Sequence, residues 1–337
     1  MPIWLSEKDV RALLPLPELI EAMERALVAF SSGRVRQPVR SVLEAGVPGQ
    51  FFASMPAVLD DGPAMGAKLV TVFHANGPKG LPTHQAVIVL LDAMTGEFLA
   101  IMDGRYITEV RTAASSAVAV RALAGPRAKS LALIGSGVQA GSHLAALRLV
   151  RKFDDIRCWS PTEANLHKLA GAHPEVRMAA SAEEAVRGAS VVVIVTSSVT
   201  PVVWNDWVAG GACVISVGAC RPNQREMDPK LVARGRVITD SRAAALSESG
   251  DIVMAMAEGH FGPEHVSAEI GEVVSGAAPG RTSESQLLIY KPLGIAVEDV
   301  AAAQLVYVRA LAAGRGTQLG GTGLLAGPAP GALTPVT

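Results

Sequence analysis

Three small residues at a fixed spacing are the strongest chemical signal in the 337-residue sequence. In LALIGSGVQAGSH, Gly135 and Gly137 are followed by Ala140, which gives a GxGxxA pattern. An apolar run precedes the pattern and a helical stretch follows it, and in this context such a turn holds a pyrophosphate. Gly135 permits the tight turn, Gly137 lets the backbone approach the phosphates, and Ala140 keeps helix and strand close. The alternative is a Gly-rich turn that binds no ligand.

The pattern predicts a site for NADP or NAD, with the phosphates at the helix N-terminus. The residues assigned to the cofactor here are Gly135, Ser136, Gly137, Val138, Gln139 and Ala140. In NAD enzymes the second strand ends near an acid that binds the ribose 2′-hydroxyl. Here that strand, DIRCWS, ends at Ser160 and Thr162, and Glu163 lies one step into the following helix. NADPH is therefore favoured over NADH, although no Arg occupies the tip itself.

A lysine inside an apolar strand is the second chemical signal. In MGAKLVTVF, Lys68 shares a face with Val70 and Val72, and both faces of the strand are apolar. Lysine is almost never fully buried without a partner. We therefore expect Lys68 to meet an anion.

The composition excludes several classes of function. The chain is 49% hydrophobic and 18% charged, with a net charge of -1, which is typical of a globular protein with a large core. Near-neutral charge and only 4% aromatic residues argue against binding to nucleic acid or to an anionic membrane. The three cysteines form no CxxC pair, so neither a metal site nor a disulfide is predicted. With no signal-peptide pattern and no bilayer-length apolar run, we expect a cytoplasmic protein.

The elements that must position these residues fall into two groups. Residues 6 to 33 are predicted to be helical, and strands follow from Pro38 to about residue 103, including a hairpin through MTGE. The Ala-rich stretch GRYITEVRTAASSAVAVRALAG predicts a helix, and Arg111 is placed in its first turn. A cation there interacts unfavourably with the helix dipole, whereas a bound anion would be stabilised by both the arginine and the helix N-terminus.

Strands and helices then alternate along the chain. The predicted strands are KSLALI, DIRCWS, VRMAA, SVVVIVTS, ACVISVGA, RVITDS and LLIYK. Such alternation predicts an α/β fold with a doubly wound parallel sheet of the Rossmann type. A long helix, AVEDVAAAQLVYVRALAAG, ends the ordered part, and the Gly- and Pro-rich segment 315–337 is expected to be a mobile tail.

Several motifs taken together resemble the ornithine cyclodeaminase and mu-crystallin family. They are QPVR, AKLVT, PTHQAVIVLLDAMTGEFLAIMDG, ITEVRTAA, LIGSGVQA, SVGACRPNQREMD, ALSESGDI, AEIGEVVSG and LGIAVEDVAAA, in that order. The resemblance implies a dinucleotide-binding domain over 113–299. It also implies a smaller α+β domain, 1–112 with 300–314, that binds substrate and forms a homodimer. Members act on amino acids or cyclic imino acids through an imine, with NAD or NADP.

The resemblance also supplies an anion for Lys68. In the family the cations of QPVR, AKLVT and RTAA bind the substrate carboxylate, which here implies Arg40, Lys68 and Arg111. Lys68 and Arg111 are thus the predicted catalytic residues, and Met55 is assigned to the lining of the substrate pocket. The alternatives are a surface arginine at position 40 and structural ion pairs at the other two cations.

The family match implies further cofactor residues. They are Thr112, Thr196, Val217, Gly218 and Gly294. Gly294 belongs to LGIAVED, which the family places beside the nicotinamide. The acids of that motif, Glu298 and Asp299, open a helix, and acids at a helix start need no functional reason.

Cys220 marks a departure from one branch of the family and is assigned to the substrate site. Ornithine cyclodeaminases carry an Asp after the GA of VGA, where this chain reads SVGAC. A thiol cannot supply that carboxylate, so reduction of a small cyclic imino acid with NAD(P)H is the preferred function. The alternatives are an ornithine cyclodeaminase-like lyase or amino-acid dehydrogenase, and a non-catalytic protein that binds a small ligand and NADP.

Overall fold

The computed structural model describes residues 1–60 and 64–320, which form two compact units. The first unit contains Met1–Pro15, Arg36–Thr108 and the described part of Asp299–Thr337. The second contains Leu16–Val35 and Glu109–Glu298. The segment Leu16–Val35 thus departs from the predicted division. The reason is packing within the second unit, where Gly271 lies so close to the Leu27 carbonyl that a Cβ would overlap it.

The first unit is built on a mixed sheet. Its elements are β1 (Ile3–Leu5), α1 (Glu7–Leu13), β2 (Val35–Arg36), β3 (Ser41–Glu44), β4 (Gln50–Leu59), β5 (Ala64–Phe73), β6 (His84–Asp92), β7 (Phe98–Asp103) and β16 (Thr317–Gln318). The strand order is β16-β1-β7-β6-β5-β4-β2, and β3 also pairs with β4. β6 and β7 are antiparallel, which confirms the predicted hairpin.

Cross-strand register sets the buried face of this sheet. Met55 on β4 and Ile88 on β6 both lie directly opposite Lys68 on β5. All three side chains are buried, because residues that face each other across a ladder lie on the same side of the sheet. Lys68 is therefore surrounded by apolar neighbours on the interior face, as the sequence pattern predicts.

The second unit carries the alternating elements. They are α2 (Leu16–Ser31), β8 (Ser130–Ile134), α4 (Val138–Val150), β9 (Asp155–Trp159), α5 (Glu163–Ala172), β10 (Val176–Met178), α6 (Ala182–Val186), β11 (Val191–Ile194), β12 (Cys213–Ser216), α7 (Pro229–Arg234), β13 (Arg236–Thr239), α8 (Arg242–Glu248), α9 (Gly250–Ala257), β14 (Val266–Glu269), α10 (Ile270–Val274) and β15 (Leu288–Lys291). Two long helices, α3 (Arg105–Leu123) and α11 (Ala296–Ala313), contain two of the four points at which the chain passes between the units.

Every pairing in the second sheet is parallel, in the order β10-β9-β8-β11-β12-β15-β13-β14. The first five strands in this order follow the doubly wound arrangement, in which the strand order reverses beside β8. The predicted fold class is confirmed, and all seven predicted strands are present. β14 is an additional strand that the sequence reading did not identify.

Two expectations about helices need correction. The stretch from 6 to 33 is two helices, because Pro15 follows α1 and disfavours helical backbone at the residue before it. Arg111 lies in the second turn of α3, not in the first, since that helix begins at Arg105. The helix-end argument for anion binding at Arg111 therefore does not apply.

The predicted mobile tail begins with ordered chain. Thr317 and Gln318 form β16, which pairs with Trp4 and Ile3 of β1. Main-chain hydrogen bonds hold this segment, so the expectation of a tail from 315 is wrong over its first residues. Residues 321–337 lie outside the described part of the chain. Among the described helices, none has both the length and the apolar character needed to cross a bilayer.

Candidate active site

The glycine turn after β8 has the geometry that a bound pyrophosphate requires. Gly135 has φ of +107°, and a Cβ there would lie 2.6 Å from the Val195 carbonyl oxygen, so only glycine fits without strain. Gly137 precedes α4 directly, and a Cβ on it would meet no protein atom within 4 Å. The first glycine is therefore required by the fold, whereas the second leaves open space beside the helix N-terminus.

Two polar side chains of this turn support a ligand there. The buried Ser136 Oγ and Gln139 Oε1 have no hydrogen-bond partner within the described part of the chain. Buried polar atoms in native proteins are nearly always hydrogen-bonded, so an unexplained pair points to a missing partner. The residues of the turn thus fit a dinucleotide, whose phosphates they would hold against the N-terminus of α4.

The remaining predicted cofactor residues of the second unit follow the carboxyl ends of its strands, apart from Thr112. Ser160 and Thr162 come after β9, Thr196 after β11, Val217 and Gly218 after β12, and Gly294 after β15. Thr112 is buried on α3, next to Arg111 in the chain. Ligands of open α/β sheets bind at the carboxyl edge, beside the point where strand order reverses. The structure therefore places all but one of these residues along the expected edge.

The tip of β9 offers hydroxyl groups but no arginine. Arg157, which precedes the tip, donates to the carbonyls of Glu184 and Arg187 at 3.1 and 2.7 Å. Its guanidinium group therefore binds main-chain carbonyls at the end of α6. Glu163 lies in the first turn of α5, where its carboxylate is 3.6 Å from His167.

A buried carboxylate holds the turn that contains Gly294. Asp240 Oδ2 accepts hydrogen bonds from the Leu293 and Gly294 N–H groups at 2.8 and 2.6 Å. Gly294 has φ of +78°, and a Cβ on it would lie 2.8 Å from Nη2 of Arg111. Glycine at this position thus brings the main chain against the predicted catalytic arginine.

Both predicted catalytic cations are buried and each meets an acid. Lys68 Nζ lies 2.6 Å from Asp299 Oδ2 within the first unit, and the two side chains are almost fully buried. In the second unit, Arg111 Nη1 donates to Glu298 Oε2 at 2.8 Å. The Glu298 carboxylate also accepts from the Ile295 N–H, which fixes the acid on its own helix.

The other predicted substrate residues differ in burial. Arg40 precedes β3 and is half-buried, whereas Met55 is buried opposite Lys68. Cys220 is half-buried, and its thiol donates to the Val217 carbonyl at 3.1 Å. Met55 and Lys68 are thus brought together inside the first unit, and Cys220 is held in the loop that follows β12.

Comparison with known proteins identifies the family. The model of the ornithine cyclodeaminase/mu-crystallin family matches residues 2–314. The chain belongs to that family. The match covers both units and confirms the resemblance that the sequence motifs indicate.

Individual family members cover nearly the whole chain. Ketimine reductase mu-crystallin of Mus musculus is 40% identical over 311 residues, which are 91% of this chain and 96% of the relative. The structure of Thermococcus litoralis Δ1-pyrroline-2-carboxylate reductase with NADH and L-proline has a TM-score of 0.92 at 34% identity, covering 94% of this chain and all of that one. An archaeal alanine dehydrogenase, a dimer with bound NAD, has a TM-score of 0.89 at 32% identity and covers 94% and 98%.

The family resemblance did not reveal every residue of interest. The sequence pattern gives Glu298 and Asp299 no role beyond that of acids at a helix start, but Glu298 is buried and paired with Arg111, and Asp299 is buried and paired with Lys68. A signal for them existed, since LGIAVEDVAAA sets two acids in an otherwise apolar stretch. Asp240 was also missed, because a single acid after a strand carries no distinctive pattern.

Proposed function

We propose that this family member uses NAD(P)H to reduce a small cyclic imino acid to the cyclic amino acid. The substrate would be Δ1-pyrroline-2-carboxylate or Δ1-piperideine-2-carboxylate, and the product L-proline or L-pipecolate. One observation carries the proposal: Lys68 and Arg111 are buried cations, each oriented by a buried acid. Buried, oriented cations suit recognition of a carboxylate, since charge-assisted hydrogen bonds are the strong ones.

The residues of the chain would do the positioning. When bound, the nicotinamide supplies a hydride to the carbon of the C=N bond. Arg40, Lys68 and Arg111 would bind the substrate carboxylate, so that the imine carbon is presented in one orientation. Asp299 Oδ2, 2.6 Å from Lys68 Nζ, fixes the direction of the lysine side chain.

The imine nitrogen must also carry a proton. The two candidate donors are Lys68 and an ordered water molecule. Transfer from Lys68 would leave its amine neutral beside Asp299 until the proton returned from solvent. The two routes differ in whether the pH dependence of kcat reports the lysine.

The related structures support the class of substrate. The Thermococcus litoralis enzyme is named for Δ1-pyrroline-2-carboxylate, and its structure is a complex with NADH and L-proline, which favours the five-membered ring. The archaeal alanine dehydrogenase favours a second candidate function, the reductive amination of a linear keto acid. The glycine turn and the two buried cations weigh against a non-catalytic binder, which would need neither hydride chemistry nor an oriented carboxylate.

An assay of NAD(P)H oxidation separates these functions. The panel would contain both cyclic imines, pyruvate and other linear keto acids with ammonia, and ornithine with NAD⁺. We expect rapid oxidation with a cyclic imine and little with the keto acids. Faster turnover of pyruvate with ammonia would instead assign the chain as an amino-acid dehydrogenase, and inactivity on every compound would favour the binder.

Ornithine is not expected to be converted to proline. The second amine of ornithine must be positioned and deprotonated, and Cys220 stands where the cyclodeaminases keep an Asp. A thiol that donates to the Val217 carbonyl neither binds an ammonium ion nor acts as its base. Incubation with NAD⁺ and ornithine, followed by assays of proline and ammonia, tests this. Multiple turnovers that yield both products would revive the lyase alternative.

We propose that NADPH is used at least as well as NADH. The tip of β9 presents Ser160 and Thr162, whose hydroxyl groups accept a 2′-phosphate more readily than an acid would. The measurement is kcat/KM for the two dinucleotides at a saturating imine concentration. A strong preference for NADH would contradict the proposal and would make Glu163 the candidate ribose ligand.

We propose that the protein is a homodimer formed through the first unit. Leu43, Phe52 and Leu69 expose apolar side chains on the same face of strands β3, β4 and β5. Exposed apolar side chains grouped on one face are typical of a protein interface, and the archaeal relative is a dimer. Light scattering at micromolar concentration should give twice the mass of 34.9 kDa, and the monomer mass would contradict the proposal.

We also propose a cytoplasmic location, on the evidence of the cysteines. Cys158, Cys213 and Cys220 are all within the described chain, and each is a free thiol. Burial raises the pKa of Cys158 and of Cys213 to about 12, so neither forms the reactive thiolate. Free thiols are typical of a reducing compartment, and fractionation of the native cells would test the assignment.

A further inference from the structure

A second buried carboxylate, Glu226, lies beside the predicted cofactor residues and belongs to none of the sites described above. It precedes α7 and its side chain is fully buried. Each of the five hydrogen bonds to its carboxylate comes from a donor group. The five bonds come from Thr196 N and Oγ1 (both 2.7 Å), Ser216 Oγ (3.1 Å), Gly218 N (2.6 Å) and Ala219 N (3.2 Å).

The five donors belong to the ends of two neighbouring strands. Both groups of Thr196 bind Oε1, just after β11. Oε2 binds the three donors at the end of β12. Gly218 is confined between the two sides, because a Cβ on it would overlap the Thr196 carbonyl and lie 2.8 Å from the Glu226 carboxyl carbon. One side chain therefore links the two loops that carry Thr196, Val217 and Gly218.

Asp251 fixes the main chain at Glu226. Asp251 Oδ1 accepts from the N–H groups of Glu226 and Met227 at 2.8 and 3.0 Å. Its Oδ2 lies 3.0 Å from Ser216 Oγ, whose single proton is shared between Asp251 and Glu226, and 3.4 Å from Lys291 Nζ. Lys291 also donates to the Ser216 carbonyl at 3.0 Å. Glu226 therefore has a fixed position from which to hold the loops.

We propose that Glu226 is a positioning residue that fixes the loops after β11 and β12 in the conformation that binds the dinucleotide. The inference rests on the proposed function, since it requires NAD(P)H to bind along this edge of the sheet. Glu226 acts through Thr196, Gly218 and Ala219, and it supplies neither charge nor proton to the reaction. Its role is to set the direction of main-chain N–H and carbonyl groups before the cofactor arrives.

The chemistry of the site explains why a carboxylate is needed. Four lone-pair positions on two oxygens can satisfy several donors at once, whereas an amide presents an NH₂ group on one side. In E226Q that NH₂ would face main-chain N–H groups, which cannot turn into acceptors. At least one loop must then move away from the side chain, although the size of residue 226 is unchanged.

A nearby carboxylate supplies a matched control. Asp228 is also buried, but it caps α7 by accepting from the Lys230 and Asn205 N–H groups at 3.0 and 3.1 Å. These two hydrogen bonds hold the start of α7 and the main chain at Asn205, and neither involves Thr196, Gly218 or Ala219. D228N thus removes a buried carboxylate of the same unit and should leave the dinucleotide affinity unchanged.

The test combines calorimetry of NADH and NADPH binding with hydrogen exchange of the protein without dinucleotide. We expect E226Q to weaken binding by about 10-fold or more, as the loss of a charged hydrogen bond would. Exchange should become faster at the amides of Thr196, Gly218 and Ala219. D228N should bind like the wild type and should not change exchange at those three amides. The KM for the imine should stay unchanged in both variants.

The outcomes separate the inference from the function on which it rests. Wild-type protein that binds neither dinucleotide would overturn the cofactor proposal and the role of Glu226 with it. Wild-type binding together with full affinity in E226Q, or equal loss in E226Q and D228N, would overturn only the positioning role. If E226Q does not fold, S216A removes one of the five donors and should weaken binding by about 2- to 10-fold. Unchanged affinity in S216A would then overturn the inference.

Discussion

The carboxyl edge of the parallel sheet and the interior face of the mixed sheet present their proposed functional groups in different ways. At the parallel sheet the proposed groups are main-chain atoms, arranged by Gly135, Gly137 and Gly294 and held by the Asp240 and Glu226 carboxylates. On the mixed sheet the proposed group is the Lys68 side chain, buried opposite Met55 and Ile88 and paired with Asp299.

The difference shows why one region is easier to recognise than the other. A main-chain site needs particular backbone conformations, and these restrict the residue type within a few consecutive positions. A side-chain site needs only that two distant residues meet, so no local pattern encodes it. The turn after β8 can therefore be recognised from six consecutive residues, GSGVQA, whereas no local pattern identifies Asp299 as the partner of Lys68.

The largest expected effect tests the side-chain region. Lys68→Ala should lower kcat/KM for imine reduction by 30- to 1000-fold, which corresponds to about 2–4 kcal/mol for a lost charge-assisted contact. NAD(P)H binding should remain near that of the wild type, because we propose Lys68 as a ligand of the substrate and not of the dinucleotide. Steady-state kinetics and calorimetry measure the two quantities.

An exposed lysine supplies the control for this experiment, and the buried Arg111 supplies a second test. Lys79 lies on the exposed turn after β5, so Lys79→Ala should leave kcat/KM unchanged. Arg111→Ala should behave like Lys68→Ala, because it removes the other buried cation. Near-normal kcat/KM in both Lys68→Ala and Arg111→Ala would remove the assignment of these cations to the carboxylate.

His143 gives a test of the interior beneath the glycine turn. Its Nδ1–H donates to the Gln139 carbonyl at 2.7 Å, and its Nε2 accepts from Ser116 Oγ at 2.9 Å, which fixes the neutral ring. Burial lowers the pKa of His143 to about 4. The unfolded chain, with a pKa near 6.5, binds a proton first as pH falls. Stability should thus be lost between about pH 6.5 and 4, by about 3 kcal/mol from this group.

Urea unfolding at several pH values measures this contribution. Other groups also titrate in this range, so the informative quantity is the difference between the wild type and His143→Gln. We expect that difference to shrink as pH falls from 6.5 to 4. A difference that is constant with pH would show that burial does not hold His143 neutral in the folded protein.

The two glycines of the turn should separate folding from cofactor binding. Gly137→Ala places a Cβ in open space, so the melting temperature should stay within a few degrees of the wild type. NAD(P)H binding should weaken by about 10-fold or more, because the methyl group occupies the approach of the pyrophosphate. In contrast, Gly135→Ala should lower the melting temperature itself, owing to its φ of +107° and the close Val195 carbonyl. Equal melting temperatures and equal affinities in the two variants would contradict this division of roles.

The smallest effect is expected at a surface ion pair. Arg127 and Glu284 lie 2.5 Å apart, but both side chains are largely exposed. Such pairs contribute less than about 1 kcal/mol, since water and salt screen them. Arg127→Ala should leave both the stability and the catalytic rate nearly unchanged in denaturant and kinetic measurements. A large loss in either would mean that ion pairs cannot be ranked by burial in this protein.

Much of the fold follows from local patterns that the sequence displays. The seven predicted strands of the parallel sheet are apolar runs bounded by polar or Gly-rich turns, and each forms where expected. β14 was missed because HVSAE has too few apolar residues to stand out. The break at Pro15 and the start of α3 at Arg105 were also misjudged, since helix boundaries depend on capping contacts beyond the apolar period.

By itself the sequence determined the family, the parallel sheet, the glycine turn and the presence of a buried cation at position 68. Residues close together in the chain specify each of these features, because backbone conformation and strand burial are local requirements. Only the tertiary structure decided which acids pair with Lys68 and Arg111, and that Glu226 and Asp240 hold the loops of the parallel sheet. The physical reason is that a buried charge must be compensated by whichever group the fold brings to it, and sequence separation places no limit on that partner.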